Sequence, residues 1–206
     1  MQVIAGVDEV GRGSLMGPVF AAAVILDKKI NKKLLKDSKT LNKNERERIA
    51  KYIKQNSTWS LGKASVKEIE KLNILNATLL AMKRAILKLK KKPKLILVDG
   101  NKTPEIKNYI LKSIVKGDKK IPSISAASII AKVSRDKLVK NLSKKFNKYY
   151  WETNCGYGTK KHLVAIKKHG ITIHHRKTFA PISKLKKVSR RNTISCCHKN
   201  LDTIKL

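Results

Sequence analysis

An α/β fold follows from three features of this 206-residue sequence. Two apolar runs of strand length come first, at about residues 2–8 and 19–26. Apolar residues then recur at Leu75, Leu79, Met82, Ile86 and Leu89, the 4-3-4-3 spacing of a helix with one buried face. Finally Leu95-Ile96-Leu97-Val98 is continuously apolar and ends in Asp99-Gly100, as in a strand buried on both faces of a mixed or parallel sheet. Strands first, then helix and strand alternating, imply a sheet covered by helices in two or three layers.

The elements follow in order. Gln-Val-Ile-Ala-Gly-Val-Asp at 2–8 reads as a strand, and after a glycine turn and Pro18 the run from Val19 to Leu26 reads as a second. A lysine-rich loop leads to Asp37-Ser38-Lys39-Thr40. Ile49 and Ile53 in a charged context predict an exposed helix over 43–55, and weak alternation predicts a strand over 58–65. The stripe at 75–89 predicts a helix capped by Asn73. After the strand at 95–98, a short apolar segment at 110–115 leads into Lys116-Gly117-Asp118. A long helix is expected from Pro122 or Ser123 to about Phe146, with Ala127, Ala131, Leu138 and Leu142 on one side. Its small residues, Ser125-Ala126-Ala127-Ser128, let it lie close to the sheet or to a ligand. A last helix is expected over 159–169, capped by Thr159 and closed by Gly170.

Composition narrows the function. The 41% apolar content supports a folded core, and no apolar run reaches the roughly 18 residues of a membrane span. No secretory signal is visible, and Cys155, Cys196 and Cys197 make a poor disulfide framework, so a cytoplasmic protein is expected. Forty-eight Lys and Arg against 14 Asp and Glu give a net charge of +34. Part of that reflects a Lys-, Ile- and Asn-rich composition throughout. The distribution is still informative, since no acid occurs from Thr153 to Leu201. A polyanionic partner such as nucleic acid is expected.

Against that basic background the carboxylates stand out. Gly6-Val7-Asp8-Glu9-Val10-Gly11-Arg12-Gly13 puts two acids at the end of a strand, beside a flexible glycine tract that can approach a polyanion. Hard oxygen ligands of this kind suit Mg²⁺ or Mn²⁺. Neighbouring strand residues point to opposite faces, so for both to serve one site the strand must end or bulge here. Asp99 and Asp118 also lie at element ends, and functional groups in such sheets gather beyond the carboxyl ends of the strands.

These motifs, with Gly17-Pro18-Val19, Asp37-Ser38-Lys39, Val98-Asp99-Gly100-Asn101, Lys116-Gly117-Asp118, the run from Ser125 to Asp136 and Gly156-Tyr157-Gly158-Thr159-Lys160, appear in the order of bacterial ribonuclease HII. The sequence resembles that family over about residues 3–182. The resemblance implies a ribonuclease H-like fold, with a mixed five-stranded sheet flanked by helices and a small helical C-terminal region. It implies a catalytic domain over 1–182 and leaves 183–206 as a basic tail. It assigns Asp8, Glu9, Asp99 and Asp118 to divalent metal, Mg²⁺ or Mn²⁺, for two-metal hydrolysis of a phosphodiester. The expected substrates are RNA–DNA hybrids and DNA duplexes containing ribonucleotides, cut 5′ of the ribonucleotide by a monomer. Gly11, Arg12 and Gly13 match the tract that reads the 2′-hydroxyl. Tyr157 matches a tyrosine that packs on the next sugar, and Ser38 and Lys39, with Lys160 or Lys161, are expected on phosphate.

His169, His174 and His175 fit no zinc spacing, and neither they nor Cys196-Cys197-His198 are assigned a ligand role. Asp136 reads as an acid on the helix surface or behind the ligands. Ser14, Met16 and Thr40 depart from the family pattern without removing a catalytic group. Two rival readings are a ribonuclease HIII-like enzyme, whose family usually has threonine at the position of Arg12 and an extra N-terminal domain, and a basic binding protein without activity. The four acids oppose the second, because carboxylates facing phosphate only weaken a pure binder.

Overall fold

A computed structural model describes residues 3–35 and 41–185. Strands β1 (Ile4–Val10), β2 (Val19–Leu26), β3 (Ser57–Ala64), β4 (Leu95–Asp99) and β5 (Ile110–Ile114) form one sheet in the order β3-β2-β1-β4-β5. The β1–β2 and β2–β3 pairs are antiparallel, and β1–β4 and β4–β5 are parallel. The helices are α1 (Lys43–Gln55), α2 (Val66–Leu87), α3 (Gly117–Lys120), α4 (Pro122–Lys145), α5 (Trp151–Asn154) and α6 (Lys160–His169). The expected mixed five-stranded sheet with flanking helices is therefore present.

Alternation along the central strands sorts the core into two layers. Ala5, Val7, Ala21, Ala23, Ile96 and Val98 face α2 and pack on Ala77, Ala81, Met82 and Ile86. Ala22 and Val24 face the other way, onto Ile49 and Ile53 of α1 and Ala126, Ile129 and Ile130 of α4. The sheet is thus the middle of three layers. Close approach on both sides depends on missing side chains. A Cβ on Gly6 would lie 2.2 Å from Ser123 C of α4, and one on Gly62 would lie 2.0 Å from Ala81 O of α2. A third cluster, around Trp151, Tyr149, Leu15, Met16, Ile166 and Ile182, forms the helical C-terminal region.

Three expectations change. Helix α2 starts at Val66 under a Ser65–Glu68 capping box, seven residues before the expected cap at Asn73. Asn73 is a break within it (φ 66°, ψ 169°), yet its Oδ1 still accepts from the amides of Leu75 and Asn76, capping the second part. On α4 the deepest positions in the second half are Arg135, Val139 and Ser143, whereas Leu138 and Leu142 are half-buried. Helix α4 turns its face as it leaves the sheet for the third cluster. The strand carrying Asp8 and Glu9 neither ends nor bulges there, and its β2 register runs unbroken through Asp8↔Ala22, Glu9↔Ala21 and Val10↔Phe20. Of the expected tail, residues 183–185 continue a last helical turn begun at 182. Residues 186–206, with Cys196, Cys197 and His198, lie outside the described residues, as do Asp37, Ser38, Lys39 and Thr40.

Candidate active site

Strand β1 outruns β4. Their pairing stops at Val7↔Val98, so Asp8, Glu9 and Val10 continue with β2 alone beside them. Asp8 shares the α4 face with Ala22, and Asp99, next after core-facing Val98, falls on the same face. Glu9 belongs to the opposite face by alternation. Because β4 has ended, its side chain still reaches the space beyond the sheet, and no bulge is needed.

Asp99 builds the next part of the site. Its Oδ1 accepts from the amides of Gly117 (2.7 Å) and Asp118 (3.4 Å), so the carboxylate caps α3 from the end of β4. That cap brings Asp118, 6% exposed, beside Asp99. Gly117 packs closely here, since a Cβ would lie 2.6 Å from Ile124 Cδ1 and 3.2 Å from Ile114 Cβ.

Asp8, Glu9, Asp99 and Asp118 line one open cleft of about 400 Å³, together with Tyr157. Burial, then the charge of Glu9 and that of Asp99, push the Asp8 carboxyl well above the usual carboxylate range; the Ser128 hydroxyl opposes this by donating to it. Burial also raises Glu9, opposed by Arg12, whose Nη1 lies 3.3 Å from Glu9 Oε1. Among the described residues no three His, Cys, Asp or Glu side chains close into a metal cage. The carboxylates instead gather on one side of an open cleft that Arg46 and Lys132 also line. This donor set fits Mg²⁺ or Mn²⁺, hard ions that keep waters and accept substrate phosphate oxygens beside a few carboxylates.

Of the other expected residues, Gly13 lies beside this cleft. A Cβ on Gly13 would lie 4.0 Å from Tyr157 Cε1, so Gly13 and the tyrosine ring face each other at the rim. Gly11 (φ +92°) is buried behind them, against the side chain of Arg135. Lys160 and Lys161 are exposed at the start of α6. His175 is fully buried, its Nε2 3.2 Å from His162 Nε2 and its Nδ1 accepting from the Thr172 amide at 2.9 Å, which is a structural arrangement.

Sequence reasoning missed Arg46 and Lys132, which also line the cleft; Ser128, from the small-residue stretch expected near the sheet or a ligand, lines it too. Lys132 pairs with Asp136 at 2.9 Å and lies 5.9 Å from the Tyr157 ring centroid. Asp136 therefore orients a cleft lysine from behind. Ser128 and Lys132 are four apart on one helix, so they share a face, and that spacing was a usable signal. Nothing in the sequence separates Arg46 from its charged neighbours.

With this geometry in place, comparison with known proteins decides the family. Residues 5–182 match the family model for Ribonuclease HII. The chain belongs to the ribonuclease HII family. A ribonuclease HII of Pelagibacter ubique is 71% identical over 185 residues, covering 90% of this chain and all of that protein. The solved ribonuclease H2 of Pyrococcus horikoshii superposes with a TM-score of 0.76 at 28% identity, over 92% of this chain and 99% of that one. A ribonuclease HIII, Bst-RNase HIII, solved in complex with Mn²⁺, gives 0.70 at 19% identity over 92% of this chain and 71% of that one, which shows a shared fold alone. The fold thus does not separate the two families, and the family match does. Membership in ribonuclease HII makes the chain a nuclease and removes the reading as a binder without activity. Among the described residues, no helix is long and apolar enough to cross a membrane.

Proposed function

We propose that the chain is an endoribonuclease that hydrolyses the RNA strand of RNA–DNA hybrids and cuts duplex DNA on the 5′ side of embedded ribonucleotides. The observation that carries this is the convergence of Asp8, Glu9, Asp99 and Asp118 on one cleft whose rim bears Tyr157 and Gly13. The four carboxylates would hold divalent metal, Asp8 and Asp99 from the α4 face of the sheet, Glu9 from the end of β1, and Asp118 from α3. Two Mg²⁺ or Mn²⁺ ions, when bound, supply activation of water and stabilisation of the leaving 3′ oxygen in an in-line displacement. The cut leaves a 3′-hydroxyl and a 5′-phosphate.

The chain's own groups do the rest. Backbone of the 11–13 tract reads the 2′-hydroxyl, the one group that marks a ribonucleotide inside DNA. The Tyr157 ring packs on the adjoining deoxyribose. Lys132, held by Asp136, Arg46 and Arg12 place positive charge beside the cleft for the phosphates, and Ser38 and Lys39 are assigned the same role. The catalytic unit in this reading is residues 1–182. In this reading it works as a monomer in the cytoplasm.

The test is a duplex carrying one ribonucleotide, incubated with the protein and Mn²⁺ or Mg²⁺, with the product ends mapped. A single nick 5′ to the ribonucleotide with a 3′-hydroxyl supports the reading. A nick elsewhere, or a 3′-phosphate, contradicts it.

A further inference from the structure

Two arginines lie fully buried where the mechanism does not use them. Arg135 of α4 and Arg176 are each 0% exposed, and among the described residues neither forms an ion pair with a carboxylate. A guanidinium is costly to bury, and carbonyls alone compensate it poorly. Here they are all carbonyls of the same neighbourhood. Arg135 donates to Pro18 O (Nε, 3.3 Å), Met16 O (Nη2, 3.1 Å) and Cys155 O (Nη1, 3.0 Å). Arg176 donates to Gly17 O (Nε, 2.9 Å) and Arg12 O (Nη1, 2.8 Å), while its Nη2 is buried without a partner.

The five carbonyls bracket the 12–18 tract on one side and the turn before Tyr157 on the other. The backbone closes the ring, with the Leu15 amide donating to Gly156 O at 2.9 Å and the Arg176 amide to Leu15 O at 2.9 Å. Gly11 fits against this clamp only as glycine, since a Cβ would lie 2.3 Å from Arg135 Nε. The guanidinium carbon of Arg135 also lies 5.8 Å from the Tyr157 ring centroid. Both rim elements of the cleft are thus fixed by two forks anchored outside it.

We propose that Arg135 and Arg176 are positioning residues that hold the 11–18 tract and the Tyr157 turn in the geometry that reads the ribonucleotide junction. This rests on the proposed role of that tract and of Tyr157. The fork is the working feature rather than the charge, because each guanidinium spans carbonyls that a lysine ammonium cannot bridge in fixed geometry. Lysine at either position therefore keeps the charge and loses the clamp.

The test uses full-length wild type, Arg135→Lys and Arg176→Lys, each labelled with ¹⁵N-glycine. The chain has ten glycines. Gly11, Gly13, Gly17, Gly156 and Gly158 report the clamp, and Gly62, Gly100 and Gly170 report the rest of the fold. The expected result is movement or broadening confined to the first group. On a duplex with one ribonucleotide, kcat is expected to fall on the order of 100-fold, the scale of a misplacement of about 1 Å, with KM little changed. Three results overturn the inference: an unmoved clamp group, loss of all ten signals together, or wild-type kcat in the lysine variants. If wild type itself fails to nick this duplex, the functional reading falls instead, and that outcome is separate from the other three.

Discussion

Asp8 is 5% exposed and shares its cleft with Glu9, Asp99 and Asp118, so its ionised form works against the fold at neutral pH. Asparagine fills the same space without the charge. Asp8→Asn is therefore expected to abolish nicking while leaving the melting temperature equal to or above wild type, as at sites where function strains stability. A thermal melt beside a nicking assay checks both parts, and a large fall in melting temperature would point to a structural role. The acids were legible in the sequence because acids are scarce in this chain and two of these are adjacent. Arg46 and Arg135 were not, because 48 Lys and Arg hide the few that turn toward the cleft or the core. Ser38 and Lys39, outside the described residues, stay with the proposal.

At the scale of elements, the order and span of most strands and helices could be read from the pattern. β2, α1 and α6 match the expected segments, and β1 runs two residues further than expected, to Val10. What the pattern hid was interaction between elements. The reach of Glu9 depends on where β4 stops, and no reading of β1 by itself supplies that. The first turns of α2 were missed because Lys67, Lys71 and Asn73 dilute the apolar stripe, although Ser65 and Glu68 form a legible capping box. Glycine marks where layers touch. Gly62→Ala is expected to force α2 away from β3, because the new Cβ meets Ala81 O at 2.0 Å and Ala85 N at 2.6 Å, both backbone atoms. Overpacking of this kind costs about 3 kcal/mol, a fall of roughly 6–12 °C in melting temperature for a chain of this size. A melt unchanged from wild type would mean that the two layers are not in contact.

The molecule as a whole joins a three-layer α/β body to a helical C-terminal region, and their junction carries a buried histidine pair. His162 Nδ1 faces the Tyr157 carbonyl at 2.9 Å and so carries the proton, leaving its Nε2 to accept from Trp151 Nε1 at 3.0 Å. Both rings are neutral in this network. Burial, then the charges of His162 and His174, lower His175 to about 4, and burial lowers His162 as well. The unfolded chain takes up these protons near pH 6.5, whereas the folded chain resists until a lower pH. Stability is therefore full above about pH 6.5 and lost as pH falls from there toward about 4. Urea melts between pH 7.5 and 5 should show that fall, with His175→Gln flattening it; an equal slope in the variant would assign the pH dependence to other groups. The same junction carries Tyr157 to the cleft, so the histidine pair, the arginine clamp and the four acids belong to one arrangement built around the end of β1. Its central claim is that those acids act through divalent metal. The most direct measurement is nicking of a duplex with one ribonucleotide by wild type and Asp99→Asn, stripped with EDTA and then titrated with Mg²⁺ or Mn²⁺. Asparagine at 99 keeps the Oδ1 acceptor for the Gly117 amide, so the variant should remain folded. Wild type should be silent in EDTA and recover with metal, and Asp99→Asn should not cut at metal levels that saturate wild type. Cutting that survives EDTA, or full-rate cutting by folded Asp99→Asn, would contradict the account.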